Sequence, residues 1–171
     1  SYSKKTFSLI SIPRDLWVSS LKTKINSVYH YGRFREASGG GIRLAQSAVL
    51  ETLGLPIHYT AVIDFKVFQE AIDFVGGIDV DVQRSFTDTH FPISGKENVF
   101  PLSSRYETIN FDAGRQHFDG PTALKFVRSR QAEGEEGTDI SRDRRQQQVL
   151  GSLKQKIGNP KFFLNHSNLV G

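Results

Sequence analysis

The residues best suited to chemistry in this sequence are arginines in its last third. Arg128 and Arg130 are two positions apart, so an extended backbone would point both guanidinium groups to the same side. Arg142 and Arg145 follow at the start of a predicted helix. A guanidinium group is planar, permanently charged and suited to bidentate contact with phosphate oxygens. The pattern therefore predicts a site for a phosphate or a diphosphate.

The predicted helix turns part of this arginine set inward. At about 100° per residue, Arg142, Arg145 and Gln146 share a stripe with the apolar positions 149, 153 and 157, whereas Arg144 lies on the opposite side. Inward guanidinium groups are costly unless an anion or an acid meets them. The positive end of the helix dipole lies beside them and favours an anion.

A structural interpretation competes with the anion site. Arginine-rich runs on helices are commonly solvated, and acids of the neighbouring segment could pair with the arginines. These acids are Glu133, Glu135, Glu136 and Asp139. The helical phase favours the site, but both interpretations stay open at this point.

A second candidate lies near the start of the chain. Pro13-Arg14-Asp15 follows residues 7–12, an apolar run that predicts a strand. In α/β proteins, ligands commonly bind at the ends of core strands. The alternative is an ordinary ion pair on the surface.

Other chemistries have no support in the sequence. The chain of 171 residues has no cysteine, which excludes thiol nucleophiles, disulfides and cysteine-bound metals. Its histidines show no metal-ligand spacing, and it contains neither a P-loop nor a G-x-S-x-G motif. The formal charge of +4 favours anionic partners.

The N-terminal and central periodicities predict the elements that would position these residues. We expect a flexible break at residues 38–41, then a helix at 44–53 and a strand at 57–65. A helix at 66–75 and a strand at 78–82 follow. This strand–helix–strand order predicts an α/β or α+β layered domain.

The remaining sequence predicts a long excursion and two helices. Residues 86–117 show no clear period and predict an irregular excursion with an edge hairpin. Asp119-Gly120-Pro121 predicts a helix start, and residues 131–137 predict a break. Asp139 or Ser141 is expected to cap a final helix that runs to about residue 157.

Motifs along the whole chain resemble those of the LytR-CpsA-Psr family. In the first half they are Ser11-Ile12-Pro13-Arg14-Asp15, Lys24-Ile25-Asn26-Ser27-Val28-Tyr29, Gly54-Leu55-Pro56-Ile57-His58-Tyr59 and Val75-Gly76-Gly77-Ile78-Asp79-Val80. In the second half they are Phe118-Asp119-Gly120, Ala123-Leu124-Lys125-Phe126-Val127-Arg128-Ser129-Arg130, Asp139-Ile140-Ser141-Arg142 and Arg145-Gln146. Because these blocks stand in the family's order, the resemblance extends over nearly the whole chain.

The resemblance implies a fold and a domain organisation. We expect an α/β fold, as an α/β/α sandwich around a mixed central sheet, in one domain with a hydrophobic pocket for a lipid tail. Residues 1–171 would be the catalytic domain of the family. Family members carry metal-binding aspartates in a strand that would precede Ser1, behind one membrane helix, and we expect this chain to lack both.

The resemblance also implies an activity. Family members transfer a glycopolymer phosphate, such as teichoic acid or capsule, from a polyprenyl-pyrophosphate lipid to peptidoglycan at the extracytoplasmic face of the bacterial membrane. Mg²⁺ is the expected cofactor, with ligands upstream of this chain. The alternative is a non-catalytic domain that binds the lipid or regulates transcription. Nucleic-acid binding is not expected, because the arginines point inward.

The family's site residues map onto individual positions of this sequence. The resemblance implies catalytic roles for Arg14 and for Asp139, an acid that could orient arginine or activate the acceptor hydroxyl. It implies substrate binding by the remaining set, namely Asn26, Arg128, Arg130, Arg142, Arg145 and Gln146.

Overall fold

The computed structural model describes residues 10–34 and 40–158 of the chain. These residues divide into two compact units, one within Ser1–Val62 and one within Ile63–Gly171. Most of the strand predicted at residues 7–12 lies outside the described residues, and residues 10–12 have neither helix nor strand. No helix in the described ranges has both the length and the apolar character needed to cross a membrane.

The first unit consists of a small antiparallel ladder and two helices. Its elements are β1 (Trp17–Val18), β2 (Thr23–Lys24), α1 (Ile25–Phe34) and α2 (Gly40–Leu53). Val18, Val28 and Ala48 form its buried core. The helix predicted at residues 44–53 is confirmed, with an earlier start than the periodicity indicated.

Glycines allow α1 and α2 to approach each other closely. A Cβ atom on Gly41 would lie 2.3 Å from the carbonyl oxygen of Tyr29, and one on Gly32 would lie 2.8 Å from the Cα atom of Gly41. The flexible break predicted at residues 38–41 is therefore wrong for Gly40 and Gly41, which form the first turn of α2. Residues 38 and 39 lie outside the described residues.

The strand predicted at residues 57–65 is also wrong. Residues 54–64 have neither helix nor strand, and Tyr59 is 95% exposed. Alternation of apolar residues defines the two faces of a strand, but a strand also needs a hydrogen-bonded neighbour. No described strand pairs with this segment.

The second unit has one helix before its four strands and two helices after them. Its helices are α3 (Phe65–Phe74), α4 (Gly120–Arg128) and α5 (Asp139–Ile157), and its strands are β3 (Ile78–Val82), β4 (Phe86–Pro92), β5 (Tyr106–Phe111) and β6 (Gly114–Phe118). Short 3₁₀ turns occupy Leu102–Arg105 and Gly134–Gly137. The predictions of α3, β3, α4, the break after α4 and α5 are confirmed.

The pairing of the strands differs from the expected mixed sheet. β3 pairs with β6 and β4 pairs with β5, both antiparallel. With the β1–β2 pair of the first unit, the described strands form three separate two-stranded sheets. The predicted strand–helix–strand order depended on a strand at residues 57–65, and that segment is not a strand. The irregular excursion predicted at 86–117 is wrong in detail, because it contains β4, β5 and most of β6.

Aromatic packing forms the centre of the second unit. The rings of Phe86, Phe111, Phe118 and Phe126 contact one another with centroids 5.1 to 5.9 Å apart. Phe118 and Phe126 are almost completely buried. Such tilted and edge-to-face pairs add to the burial energy of the rings. This core fixes the end of β6 and the inner face of α4.

Side-chain caps set where α4 and α5 begin. Asp119 caps α4 by accepting a hydrogen bond from the Thr122 N–H. Thr138 caps α5, and Asp139 is the first helical residue. The expectation that Asp139 or Ser141 caps α5 is therefore wrong. The Thr138 hydroxyl accepts from the Ser141 N–H, which satisfies one of the free donors of the first turn.

Substituting Gly120 by alanine should destabilise the second unit. An added Cβ would lie 2.4 Å from the carbonyl oxygen of Gln69, which pushes α4 away from α3. We expect a loss of about 1–3 kcal/mol in the free energy of unfolding, measured by urea denaturation. The matched control is Gly151→Ala in α5, where nothing lies within 4 Å of the added Cβ. That control should gain up to about 1 kcal/mol, and equal effects of the two substitutions would contradict the packing argument.

Candidate functional site

The predicted site residues are distributed over both units. Arg14 and Asn26 lie in the first unit. The second unit holds the larger group, which consists of Arg128, Arg130, Asp139, Arg142, Arg145 and Gln146. In the second unit these residues are grouped at the end of α4, in the following segment and at the start of α5.

In the first unit, Asp15 connects the predicted residues. Its Oδ1 atom lies 3.8 Å from the Arg14 Nε atom and accepts from Asn26 Nδ2 at 3.4 Å. The Asn26 N–H also donates to the Arg14 carbonyl at 3.2 Å. Arg14 and Asn26 are therefore held together, and the Arg14 side chain remains 43% exposed. The alternative of a surface ion pair is consistent with this geometry as well.

The prediction that Arg142 and Arg145 lie on the inward face of α5 is confirmed. Arg142 and Arg145 are buried, whereas Arg144 is exposed. Gln146 is exposed too, although it was placed on the inward stripe. The inward stripe therefore consists of Arg142, Arg145, Val149 and the partly buried Leu153, whereas Ile157 is 41% exposed.

Arg145 uses both of its terminal nitrogens within the protein, whereas its buried Nε atom has no hydrogen-bond partner among the described residues. Its NH1 donates to the Glu136 carboxylate at 2.8 Å and to the Glu136 carbonyl at 2.9 Å, and its NH2 donates to the Ser129 carbonyl at 2.8 Å. Its guanidinium carbon lies 4.8 Å from the centroid of the Phe86 ring. Burial lowers the pKa of Arg145, and the Glu136 carboxylate opposes this shift. Arg145 thus ties α5 to the segment that follows α4.

Arg142 is buried but less completely bonded. Its NH1 atom lies 2.7 Å from Asp139 Oδ1, yet it is not aligned for a hydrogen bond with any described group. The Asp139 side chain is 58% exposed and the Arg142 side chain only 9%. A buried guanidinium with unused donors can accept an anion at lower cost than a fully bonded one.

Arg128 and Arg130 have no carboxylate within salt-bridge distance in the described part of the chain. Arg128 is the last residue of α4 rather than part of an extended pair, and its guanidinium carbon lies 4.3 Å from the centroid of the Phe65 ring. Arg130 is exposed. Asp139 and Glu136 pair with the buried arginines of α5, and Glu135 pairs with Arg84. Arg128 and Arg130 are therefore available.

Two residues that organise this region were missed by the sequence reasoning. Asp88 is 1% exposed and accepts hydrogen bonds from the Arg130 and Gln131 N–H groups. Glu136 was noted only as one of several acids able to pair. The signal for Asp88 was its place two residues after Phe86 on the inward side of β4. That signal was lost because residues 86–117 were interpreted as irregular.

The described residues do not fit a magnesium site by themselves. They contain no group of three or more His, Asp or Glu side chains that could hold a metal ion. The Asp15 carboxylate is engaged by Lys24 Nζ at 3.2 Å and by Asn26. The expectation of Mg²⁺ stays a prediction.

The geometry is that of an α/β protein with an arginine-rich segment between two helices, a class suited to anionic ligands. The chain belongs to the LytR_cpsA_psr family, whose family model matches residues 1–171. The resemblance drawn from the motifs is therefore confirmed.

Named relatives support the same assignment. The curated protein TagV of Bacillus subtilis (strain 168), a polyisoprenyl-teichoic acid–peptidoglycan teichoic acid transferase, is 32% identical over 161 residues, which cover 91% of this chain and 36% of TagV. The crystal structure of B. subtilis TagV matches with a TM-score of 0.57 at 31% identity, covering 85% of this chain and 48% of that chain.

A third comparison concerns the fold alone. A structure of the LytR-CPS2A-psr family protein YwtF (TagT) with bound octaprenyl pyrophosphate lipid matches with a TM-score of 0.57 at 22% identity, covering 91% of this chain and 57% of that chain. These structures confirm the α/β fold class. The chain spans just over a third of the length of curated TagV.

Removing Arg145 should destabilise the second unit strongly. Arg145→Met leaves the Glu136 carboxylate, whose side chain is 13% exposed, without its cation. We expect a loss of about 3–5 kcal/mol in the free energy of unfolding, measured by denaturant unfolding. The double variant Arg145→Met/Glu136→Gln should recover part of that loss. Arg144→Met, on the exposed side of α5, should change stability by less than about 0.5 kcal/mol, and a comparable loss there would contradict the assignment.

Asp88 should make stability depend on pH in the acid range. Burial by itself raises the pKa of Asp88, but hydrogen bonds from Ser129, Gln131, His90 and Arg130 outweigh it and hold the pKa below its ordinary value. The ionised form is thus favoured in the folded state, so its contribution is complete above the unfolded-state pKa of about 3.9. It is lost as pH falls through the lower folded-state pKa.

The measurement compares unfolding free energies of the wild type and Asp88→Asn from pH 7 to pH 3. We expect the gap between them to narrow below about pH 4. Asp112→Asn, on the exposed connection between β5 and β6, should stay within about 0.5 kcal/mol of wild type at neutral pH. A gap for Asp88→Asn that does not change with pH would refute the role of its charge.

Proposed function

We propose that this chain belongs to an enzyme that transfers a glycopolymer phosphate from a polyprenyl-diphosphate carrier to peptidoglycan. The observation that carries the proposal is the availability of Arg128 and Arg130 beside α5, which brings a buried and incompletely bonded Arg142. The transferase name of TagV, at 32% identity over 91% of this chain, supports the same activity. We place the reaction at the extracytoplasmic face of the membrane, where peptidoglycan is built.

Phosphoryl transfer suits a site made mainly of fixed positive charge. The transferred group needs positioning and neutralisation of its oxygens more than covalent help from the protein. In the proposed step an acceptor hydroxyl of peptidoglycan attacks the phosphorus that bears the glycopolymer. The bond from that phosphorus to the bridging oxygen breaks, and polyprenyl phosphate leaves. The hydroxyl proton passes to a base, for which Asp139 is our candidate.

The arginines have different roles in this proposal. Arg128, Arg130 and Arg142 hold the diphosphate oxygens, and the exposed Gln146 adds a hydrogen bond. Arg145 acts as a positioning residue, because both of its terminal nitrogens donate to Glu136 and Ser129. Arg14 and Asn26 enter the proposal through the family resemblance, with Arg14 in a catalytic role.

A binding domain without turnover is the alternative that the assay must separate. The chain spans 36% of TagV, so the whole relative's activity has to be tested on this chain directly. Product formed from a polyprenyl-diphosphate-linked teichoic acid and peptidoglycan supports the transferase. Binding of the lipid without product supports the receptor. Salt-dependent binding to arbitrary DNA in place of both supports a nucleic-acid function.

Removing Arg128 or Arg130 should weaken binding of the diphosphate. Each alanine variant loses a charge-assisted contact with the diphosphate. We therefore expect the Kd for farnesyl diphosphate, measured by calorimetry, to rise about 10- to 100-fold. Transfer to wall material should fall in parallel. Arg144→Ala is the matched control, because Arg144 is exposed and lies outside the proposed set. Unchanged affinity in Arg128→Ala and Arg130→Ala would refute the assignment.

A further inference from the structure

Asp88 is a buried acid whose role the transfer step does not explain. It lies on β4 next to a shift in the register with β5, between Asp88 and Phe91. Asp88 is only 1% exposed. No described lysine, arginine or histidine lies within salt-bridge distance of it. A carboxylate in this position needs hydrogen-bond donors to offset the loss of water.

Those donors come mainly from the segment that follows α4. Asp88 Oδ2 accepts from the Ser129 hydroxyl at 2.7 Å and from the Arg130 and Gln131 N–H groups at 3.1 Å each. The other oxygen, Oδ1, accepts from the His90 N–H at 3.0 Å. An asparagine could not meet all these donors with both of its terminal atoms, since its NH₂ group is itself a donor.

The segment held in this way is the one that carries the available arginines. Arg128 ends α4, Ser129 is the C-cap and Arg130 follows at once. Two residues further, Ala132 forms an antiparallel bridge with Asp88 itself. The Ser129 carbonyl accepts from Arg145 NH2. Asp88 and Arg145 therefore both bond to Ser129, Asp88 from β4 and Arg145 from α5.

We propose that Asp88 is a positioning residue for the diphosphate site, which sets the backbone of residues 129–131 so that Arg128 and Arg130 present their guanidinium groups together. This inference rests on the proposed function. Irregularities in strand pairing are common beside binding sites, where they redirect side chains. A misplacement of a contacting group by about 1 Å is enough to reduce its effect by about 100-fold.

The test measures the Kd for farnesyl diphosphate in a cycle of variants of the 171-residue chain. Asp88→Asn should raise the Kd about 10- to 100-fold in the wild-type background. In the Arg128→Ala/Arg130→Ala background it should add little, because the groups it positions are gone. Val80→Ala, fully buried in β3, is the control for loss of stability. It should leave the Kd within about 2-fold of wild type, as expected for a site away from the segment.

A second readout does not depend on binding. Hydrogen exchange of the Arg130 and Gln131 amides should speed up in Asp88→Asn and not in Val80→Ala. Ser129→Ala, which removes one donor and leaves both arginines in place, should shift the Kd in the same direction by a smaller factor. This variant serves if Asp88→Asn does not fold.

The outcomes separate the inference from the function on which it rests. Equal affinities of the wild type and the Arg128→Ala/Arg130→Ala variant would overturn the proposed function and the inference together. A loss in that variant, with Asp88→Asn and Ser129→Ala binding like Val80→Ala, would overturn the inference alone. A loss for Asp88→Asn that persists undiminished in the double-arginine background would also overturn it.

Discussion

The cost of burying charge constrains the second unit more than any other interaction. Two arginines and Asp88 are buried in it, and Glu136 is nearly so. Burying a charge without partners costs several kcal/mol of folding free energy. Each of these groups therefore needs a hydrogen-bond or ion-pair partner. The partners come from β4, from the segment after α4 and from the first turns of α5. Meeting this requirement fixes the relative positions of these elements.

This constraint also explains why the arginines differ in availability. Arg145 has a nearly buried acid and two carbonyls as partners, so it stabilises the fold. Arg142 has a largely exposed acid beside it and keeps unused donors. Arg128 and Arg130 have no carboxylate at salt-bridge distance among the described residues. A site for an anion needs arginines bonded within the fold as well as arginines without an acidic partner. The bonded arginines hold the backbone that positions the others.

The parts of this arrangement that follow from local rules were predictable from the sequence. Helical phase placed Arg142 and Arg145 inward, and the Asp119-Gly120-Pro121 start of α4 followed from capping preferences. The strand at residues 57–65 failed because sheet formation depends on a distant partner, which alternation cannot supply. Asp88 was missed for a related reason. A buried acid has the hydropathy of a surface residue, so hydropathy does not show that Asp88 is buried, and its donors lie on a segment far along the chain.

The contact between Arg128 and Phe65 shows how an available cation can be held without an acid. The ring lies 4.3 Å from the guanidinium carbon, and a second ring, Phe91, lies at 5.6 Å. An aromatic face attracts a guanidinium group but leaves the N–H donors along its edges unpaired. An acid partner would occupy those donors and would repel a phosphate. Aromatic support is therefore the better choice for an arginine that has to exchange water for an anion, whereas the acid-paired Arg145 is the better choice for a fixed one.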